Sequence, residues 1–234
     1  MHAGTHGCSS WTAHPAGLDK VCGDAVGPRA RQTLEALGAE TVLRHEEQVS
    51  RFRLVSPSGR SVSGAVSTPG FVVPRRVLDA RLLDAAVAAG AQFHRATVAA
   101  VSTGATDVVV TLRGGGTVRA AVVVGADGAN SVVRRSIGEP PNRDTHLALA
   151  VRGYMDRPPD FRELLIRWHP VARGVAYAWA FPTADGHVNV GYGAPVSEPP
   201  RDVRRPWPAP GLTESNGLDS HATGGWFSNC IGDR

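Results

Sequence analysis

The sequence predicts a mixed fold, α+β or α/β in class, built around an antiparallel β-sheet. Three observations predict it. Gly (27) and Pro (17) are abundant among the 234 residues, which favours frequent turns over a helical bundle. Clear helical periodicity is confined to two stretches, each closed by a glycine. From Leu147 onward, four segments of strand character follow one another, the pattern of neighbouring strands in one sheet.

Residues 1–18 show neither helical nor strand period and are expected to be irregular. Residues 30–37 (ARQTLEAL) read as a short helix stopped by Gly38. Residues 41–68 alternate apolar and polar side chains around Pro57-Ser58-Gly59, a hairpin signature. The best helix covers 76–89, with Val77, Leu78, Leu82, Ala85, Ala86 and Ala89 on one face and Gly90 as the stop. Residues 93–102 read as a strand. Residues 107–113 and 117–124 read as a hairpin about Gly114-Gly115-Gly116. Its second arm ends in Val122-Val123-Val124, which reads as a strand buried on both faces, followed by a glycine turn and a short helix over 131–137. Segments 147–155, 163–168, 175–181 and 187–192 read as the antiparallel sheet. Residues 199–234, rich in Pro and then in Gly, Ser and Asn, read as an irregular tail.

Composition narrows the function. Apolar residues make up 42% and charged residues 20%, ordinary for a globular protein. The net charge of +4 comes almost wholly from scattered arginines, Lys20 being the only lysine. Without a basic run, no nucleic-acid partner is expected. Cys8, Cys22 and Cys230 are too sparse for a disulfide framework or a zinc site, so no metal is expected and a reducing cytoplasm fits. No stretch approaches a membrane-spanning length, and the N-terminus lacks the form of a signal peptide.

Three motifs carry chemistry. In Lys20-Val21-Cys22-Gly23-Asp24, glycine lets backbone approach a ligand and a thiol would line the approach; a loop with a small buried cysteine is the alternative, which spacing alone favours. In Gly125-Ala126-Asp127-Gly128, the turn between a strand and a helix presents backbone N–H groups where ligands often bind. Asp127 could accept bonds from a cofactor, and Ser131 could cap the helix; an ordinary Asp-Gly turn is the alternative. In the third, Tyr177, Trp179 and Phe181 alternate along a strand and share one face. Gly191 and Gly193 then strip a facing strand of side chains. Rings beside a bare strip read as a cavity for a long hydrocarbon or a flavin ring, against the alternative of a plain sheet core.

With these residues the chain resembles the geranylgeranyl reductase family of FAD-dependent oxidoreductases, within the flavin hydroxylase-like fold. The matches are the K-x-C-G-D stretch at 20–24, Arg75 to Asp79 as a helix entry, Gly125 to Arg134 as G-A-D-G-x-x-S-x-x-R, and Tyr177 to Gly193 as Y-x-W-x-F-P followed by G-x-G. The resemblance covers residues 19–197. It implies a partial FAD-binding domain (19–40 and 75–138) interleaved with an antiparallel β-sheet substrate domain (41–74 and 139–198). It implies that Cys22, Gly23, Arg75, Val98, Asp127 and Gly128 serve the FAD, and that Tyr177, Trp179, Phe181, Gly191 and Gly193 line the substrate site. Reduced FAD, recharged by NAD(P)H or another reductant, would saturate a C=C bond of an isoprenoid. A lipid substrate implies peripheral contact with a membrane by an otherwise cytoplasmic protein. No side chain stands out as proton donor.

The pattern is also broken. No G-x-G-x-x-G turn precedes Cys22, Ala25 replaces a common glycine, and Ile231-Gly232-Asp233 comes too late for the family's G-D-A segment. The expectation is therefore a partial copy, from a truncated gene model, a frameshift or a pseudogene, with weak or absent FAD binding alone. A monooxygenase or halogenase of the same fold, and a non-catalytic lipid-binding fragment, are the competing readings.

Overall fold

Strands dominate the computed structural model, which describes residues 7–14 and 17–197; the predicted tail at 199–234 lies outside the described residues. In chain order the elements are β1 (Ser9–Thr12), β2 (Ala25–Val26), α1 (Pro28–Ala36), β3 (Gln48–Val55), β4 (Ser61–Val72), α2 (Arg75–Ala88), β5 (Gln92–Arg95), β6 (Val98–Thr103), β7 (Val108–Leu112), β8 (Thr117–Ala120), α3 (Val132–Ser136), β9 (Ala148–Asp156), β10 (Glu163–His169), β11 (Ala176–Pro182) and β12 (His187–Pro195). They pack as two units. One contains the described residues up to Leu18 together with Asp79–Arg143; the other contains Asp19–Leu78 and the described residues from Asp144 onward. Residues 19–40 thus pack with the sheet-bearing unit, whereas the resemblance groups them with 75–138.

The larger unit is a seven-stranded sheet in the order β2-β4-β3-β10-β11-β12-β9. Only β3 and β10 run parallel; the other pairings are antiparallel. The sequence of β11, AYAWAFP, explains why the sheet is covered on both sides. Its alanines fall on one face and its rings on the other. On the alanine face, Ala180 packs with Phe161, Leu165 and Val188, while Ala176 and Ala178 pack with Tyr192 and Ala194. On the aromatic face, Trp179 and Phe181 pack with Val49 and Val72. The turn at Pro57-Ser58-Gly59 joins β3 to β4 as predicted, with Gly59 at a φ of 84°, a value glycine adopts without strain.

The smaller unit holds a three-stranded antiparallel sheet, β6-β7-β8, and a two-stranded parallel pair, β1-β5. Three expectations need correction here. Ser9–Thr12 is a strand within the stretch read as irregular, paired with β5 and with Trp11 stacked on His94 at 4.2 Å. Its partner is distant in the chain, so no local period marks it. The single strand expected over 93–102 is two: Ala96 donates to Thr12 and Arg113 donates to Thr97, so the chain changes sheets there. Residues 122–124 form no strand, and Val122 and Val124 are 75% and 84% exposed. A run of valines becomes a buried strand only where neighbours take up its hydrogen bonds, and no described strand pairs with this run.

Leu165 lies at the centre of the alanine-face core. Leu165→Ala should lower the unfolding free energy by about 3 kcal/mol, measured by urea denaturation. Wild-type stability in that variant would show that this face is not the core of the unit.

Candidate functional site

Asp24 organises the site. Its φ of 62° lies in the left-handed region, which Asp tolerates better than most residues. The turn this creates drives its carboxylate into the unit, where it is fully buried. One carboxylate oxygen, Oδ2, accepts from the Tyr154 hydroxyl on β9 and from Asn189 Nδ2 on β12, the latter at 2.6 Å. The other, Oδ1, accepts from the backbone N–H of Arg75 at 3.3 Å, capping the first residue of α2 from 51 positions away. The Asp24 carbonyl accepts from the Val73 N–H at 2.8 Å.

These bonds lay the Cys22-Gly23 turn on the aromatic face of the sheet. Asn189 Nδ2 also donates to the Cys22 carbonyl at 2.8 Å, and Asn189 Oδ1 accepts from Trp179 Nε1 at 2.8 Å. A Cβ on Gly23 would stand 3.0 Å from the Phe181 ring and 3.4 Å from Trp179 Nε1. Glycine therefore lets the turn lie flat on the two rings. The Asp24 N–H points to Cys22 Sγ at 3.4 Å. At the start of the segment, buried Arg152 donates to the Asp19 carboxylate and, at 3.1 Å, to the Lys20 carbonyl. Its guanidinium also lies 4.5 Å above the Tyr154 ring.

Burial disfavours the ionised form of Asp24 and raises its pKa above 3.8; the donors Tyr154 and Asn189, the charge of Arg152 and the Arg75 amide only partly offset this. Burial and the adjacent Asp24 likewise push the Tyr154 hydroxyl far above its ordinary range. Tyr154 is thus a firm hydrogen-bond donor and a poor acid.

The structure brings Cys22, Gly23, Trp179 and Phe181 together, with the Arg75 backbone on the same carboxylate. It corrects one geometric expectation. Gly191 stands opposite Trp179, and a Cβ there would fall inside the indole ring. The glycine makes room for Trp179, so there is no bare strip at Gly191, and Trp179 and Phe181 are buried supports of the turn. Gly193 differs: a Cβ there would meet nothing nearer than 3.8 Å. It faces Tyr177, which is 37% exposed, and Tyr177 in turn faces Trp168, 36% exposed.

In the smaller unit, the Asp127 carboxylate is committed to α3. It accepts from the amides of Val132 (2.6 Å) and Val133 (3.4 Å), and Ser131 Oγ accepts from the Arg134 amide. Burial raises the Asp127 pKa, but its bonds with Ser131 and these amides outweigh that and leave it below the ordinary value. Gly125 admits the Val133 side chain, 2.6 Å from where a Cβ would be, and Gly128 has a φ of 80°. The glycines and the Asp127 carboxylate thus shape the local turn. Val98 opens β6 opposite Leu112. Among the described residues, no cluster of His, Cys, Asp and Glu could hold a metal.

Sequence reasoning missed Asn189, Tyr154, Arg152 and Asp19. Asn189 carried a signal: a carboxamide between Val188 and Val190, in a strand otherwise apolar on that stretch, needs a buried partner. Asp19, Arg152 and Tyr154 carried none, because their meeting depends on a pairing across the whole unit.

Residues 25–175 match the family model described as an FAD binding domain. The menaquinone reductase of Mycolicibacterium smegmatis is 35% identical over 190 residues, covering 75% of this chain and 46% of that protein. Digeranylgeranylglycerophospholipid reductase 1 of Methanopyrus kandleri is 31% identical over 197 residues, covering 78% of this chain and 49% of that protein. Among solved structures, a geranylgeranyl bacteriochlorophyll reductase-like protein of Thermoplasma acidophilum superposes with a TM-score of 0.67 at 21% identity, over 80% of this chain and 51% of that one. The chain spans about half the length of the curated relatives it matches.

The raised pKa of Asp24 fixes the sign of a pH effect. A carboxyl that holds its proton more tightly folded than unfolded adds most stability when protonated and loses it as pH rises. Across the interval from 3.8 up to the folded midpoint, the stability of the wild type relative to Asp24→Asn should fall with rising pH, then level off. Urea unfolding of both proteins at a series of pH values measures it; an advantage that grows with pH in that interval would contradict the assignment.

Proposed function

The chain belongs to the FAD binding domain family, and from that premise we propose that it is the sheet-bearing part of an FAD-dependent reductase that saturates C=C bonds of an isoprenoid chain. The observation that carries this reading is the division of the aromatic sheet face. One part lies under the Cys22-Gly23 turn, packed on Trp179 and Phe181. The other bears exposed Trp168 and Tyr177, with their rings 5.6 Å apart, beside Gly193 and Ala150. Trp168, Tyr177, Gly193 and Ala150 are all uncharged, which suits an apolar chain lying along the sheet. The printed names of the relatives support the same class, since menaquinones and geranylgeranyl lipids both carry isoprenoid chains.

The residues fit a flavin in one respect: the Cys22-Gly23 turn is flat, backed by rings, and tied to the α2 N-terminus through Asp24. Cys22, Gly23 and Arg75 would hold its edge. Bound and reduced, FAD would supply a hydride to the alkene, a proton would complete the saturation, and NAD(P)H or another reductant would restore the flavin. The protein's own part is to orient the alkene by Tyr177 and Trp168 and to exclude water from it. Among the described residues no helix is long and apolar enough to cross a membrane; a lipid substrate would be met by peripheral contact.

Tyr177→Ala should weaken binding of geranylgeraniol, followed by quenching of tryptophan fluorescence, by about tenfold, the order expected on losing a half-buried ring. It should leave FAD uptake unchanged. Wild-type prenyl affinity in Tyr177→Ala would contradict the proposed seat.

A further inference from the structure

Three hydrogen-bonded groups on two strands converge on a turn that has no regular structure of its own. Asn189 spans Trp179, the Cys22 carbonyl and Asp24 with one carboxamide, every polar atom of it engaged. Tyr154 supplies the second donor to the same Asp24 oxygen. Arg152 ties down the other end through Asp19 and the Lys20 carbonyl. Asn189 and Asp24 are both fully buried, so these bonds form in a medium where an unmet partner is costly. The Cys22 side chain, by contrast, is only partly buried and is a free thiol. Nothing in the core requires the thiol to be where it is; the bonds on either side of it do.

We propose that Asn189 and Asp24 are positioning residues that set the location of the Cys22 thiol on the aromatic face, with Tyr154 acting through Asp24 and Arg152 closing the far end. The inference rests on the reading of the Cys22-Gly23 turn as the ligand-facing edge of the site, and it adds the residues that hold that edge in place. Their strands, β12 and β9, also carry Gly193 and Ala150 beside the proposed chain-binding surface. One stretch of backbone therefore fixes both the thiol and the seat of the apolar chain. The distance between them is then set by β9 and β12 together with the bonds that hold the turn to them.

The test reads the thiol directly and needs neither flavin nor substrate, so it stands apart from the test of the reductase reading. In a background with Cys8→Ser and Cys230→Ser, the alkylation rate of Cys22 by iodoacetamide is measured at fixed pH. Asn189→Ala should raise it about tenfold and Tyr154→Phe about threefold, since each removes donors that hold the turn closed. Leu165→Ala, a stability loss on the opposite face, should leave it within about twofold. A merely structural role for Asn189 would give equal acceleration in Asn189→Ala and Leu165→Ala, which overturns the proposal, as does a wild-type rate in folded Asn189→Ala. If circular dichroism shows that Asn189→Ala does not fold, Tyr154→Phe decides: acceleration supports the proposal and a wild-type rate overturns it.

Discussion

A single buried carboxylate sets the geometry on which the rest depends. Asp24 sits where the chain leaves the 19–24 turn for β2 near the start of α2, and its side chain is bonded to α2, β9 and β12. Removing a carboxylate from water carries a large desolvation cost, visible in the raised pKa. Two side-chain donors and one backbone N–H partly offset that cost in this arrangement. Any other path of residues 19–24 would leave the group buried without partners or would expose the Asn189 and Tyr154 donors. The turn is specified by the penalty for its alternatives more than by the strength of its contacts.

The sheet beneath answers to the same constraint. The Trp179 indole needs an acceptor for its N–H, and Asn189 provides it. The ring needs space on β12, and Gly191 provides it. Gly23 lies against the Phe181 ring where a Cβ would be crowded. With the rings at 179 and 181 committed to supporting the turn, the ring at 177 is left at the surface with Trp168. A strand that reads as three equivalent aromatics therefore divides its work: two rings are buried against backbone, and one stands at the surface.

Much of this was legible in the sequence and some was not, for physical reasons. The strands of the antiparallel sheet, both longer helices and the 57–59 turn follow from periodicity and turn chemistry, which are local. The β11 alternation correctly placed its rings on one face. Gly191 misled because a glycine opposite a tryptophan reads equally as space left open and as space made for the indole; only the ring's rotamer distinguishes them. Val122 and Val124 misled because burial belongs to the neighbours of a strand and not to its composition. Ser9–Thr12 was invisible because its stabilising partner, β5, lies far along the chain. Asp127 read as a cofactor ligand or a turn residue, and its bonds to the Val132 and Val133 amides show the turn role. In the K-x-C-G-D motif the cysteine and glycine drew attention, while the aspartate beside them makes the bonds that hold the turn.

Residue-resolved amide exchange by NMR tests the central role of Asp24 most directly. The Arg75 amide, which points at its carboxylate, the Val73 amide on its carbonyl and the Trp179 indole N–H on Asn189 should all exchange as slowly as the β11–β12 ladder, because they open only when the unit opens. Rapid exchange of the Arg75 amide and the Trp179 indole alongside a protected ladder would contradict the account, since it would mean that the sheet holds its form while the carboxylate and its partners do not hold the turn.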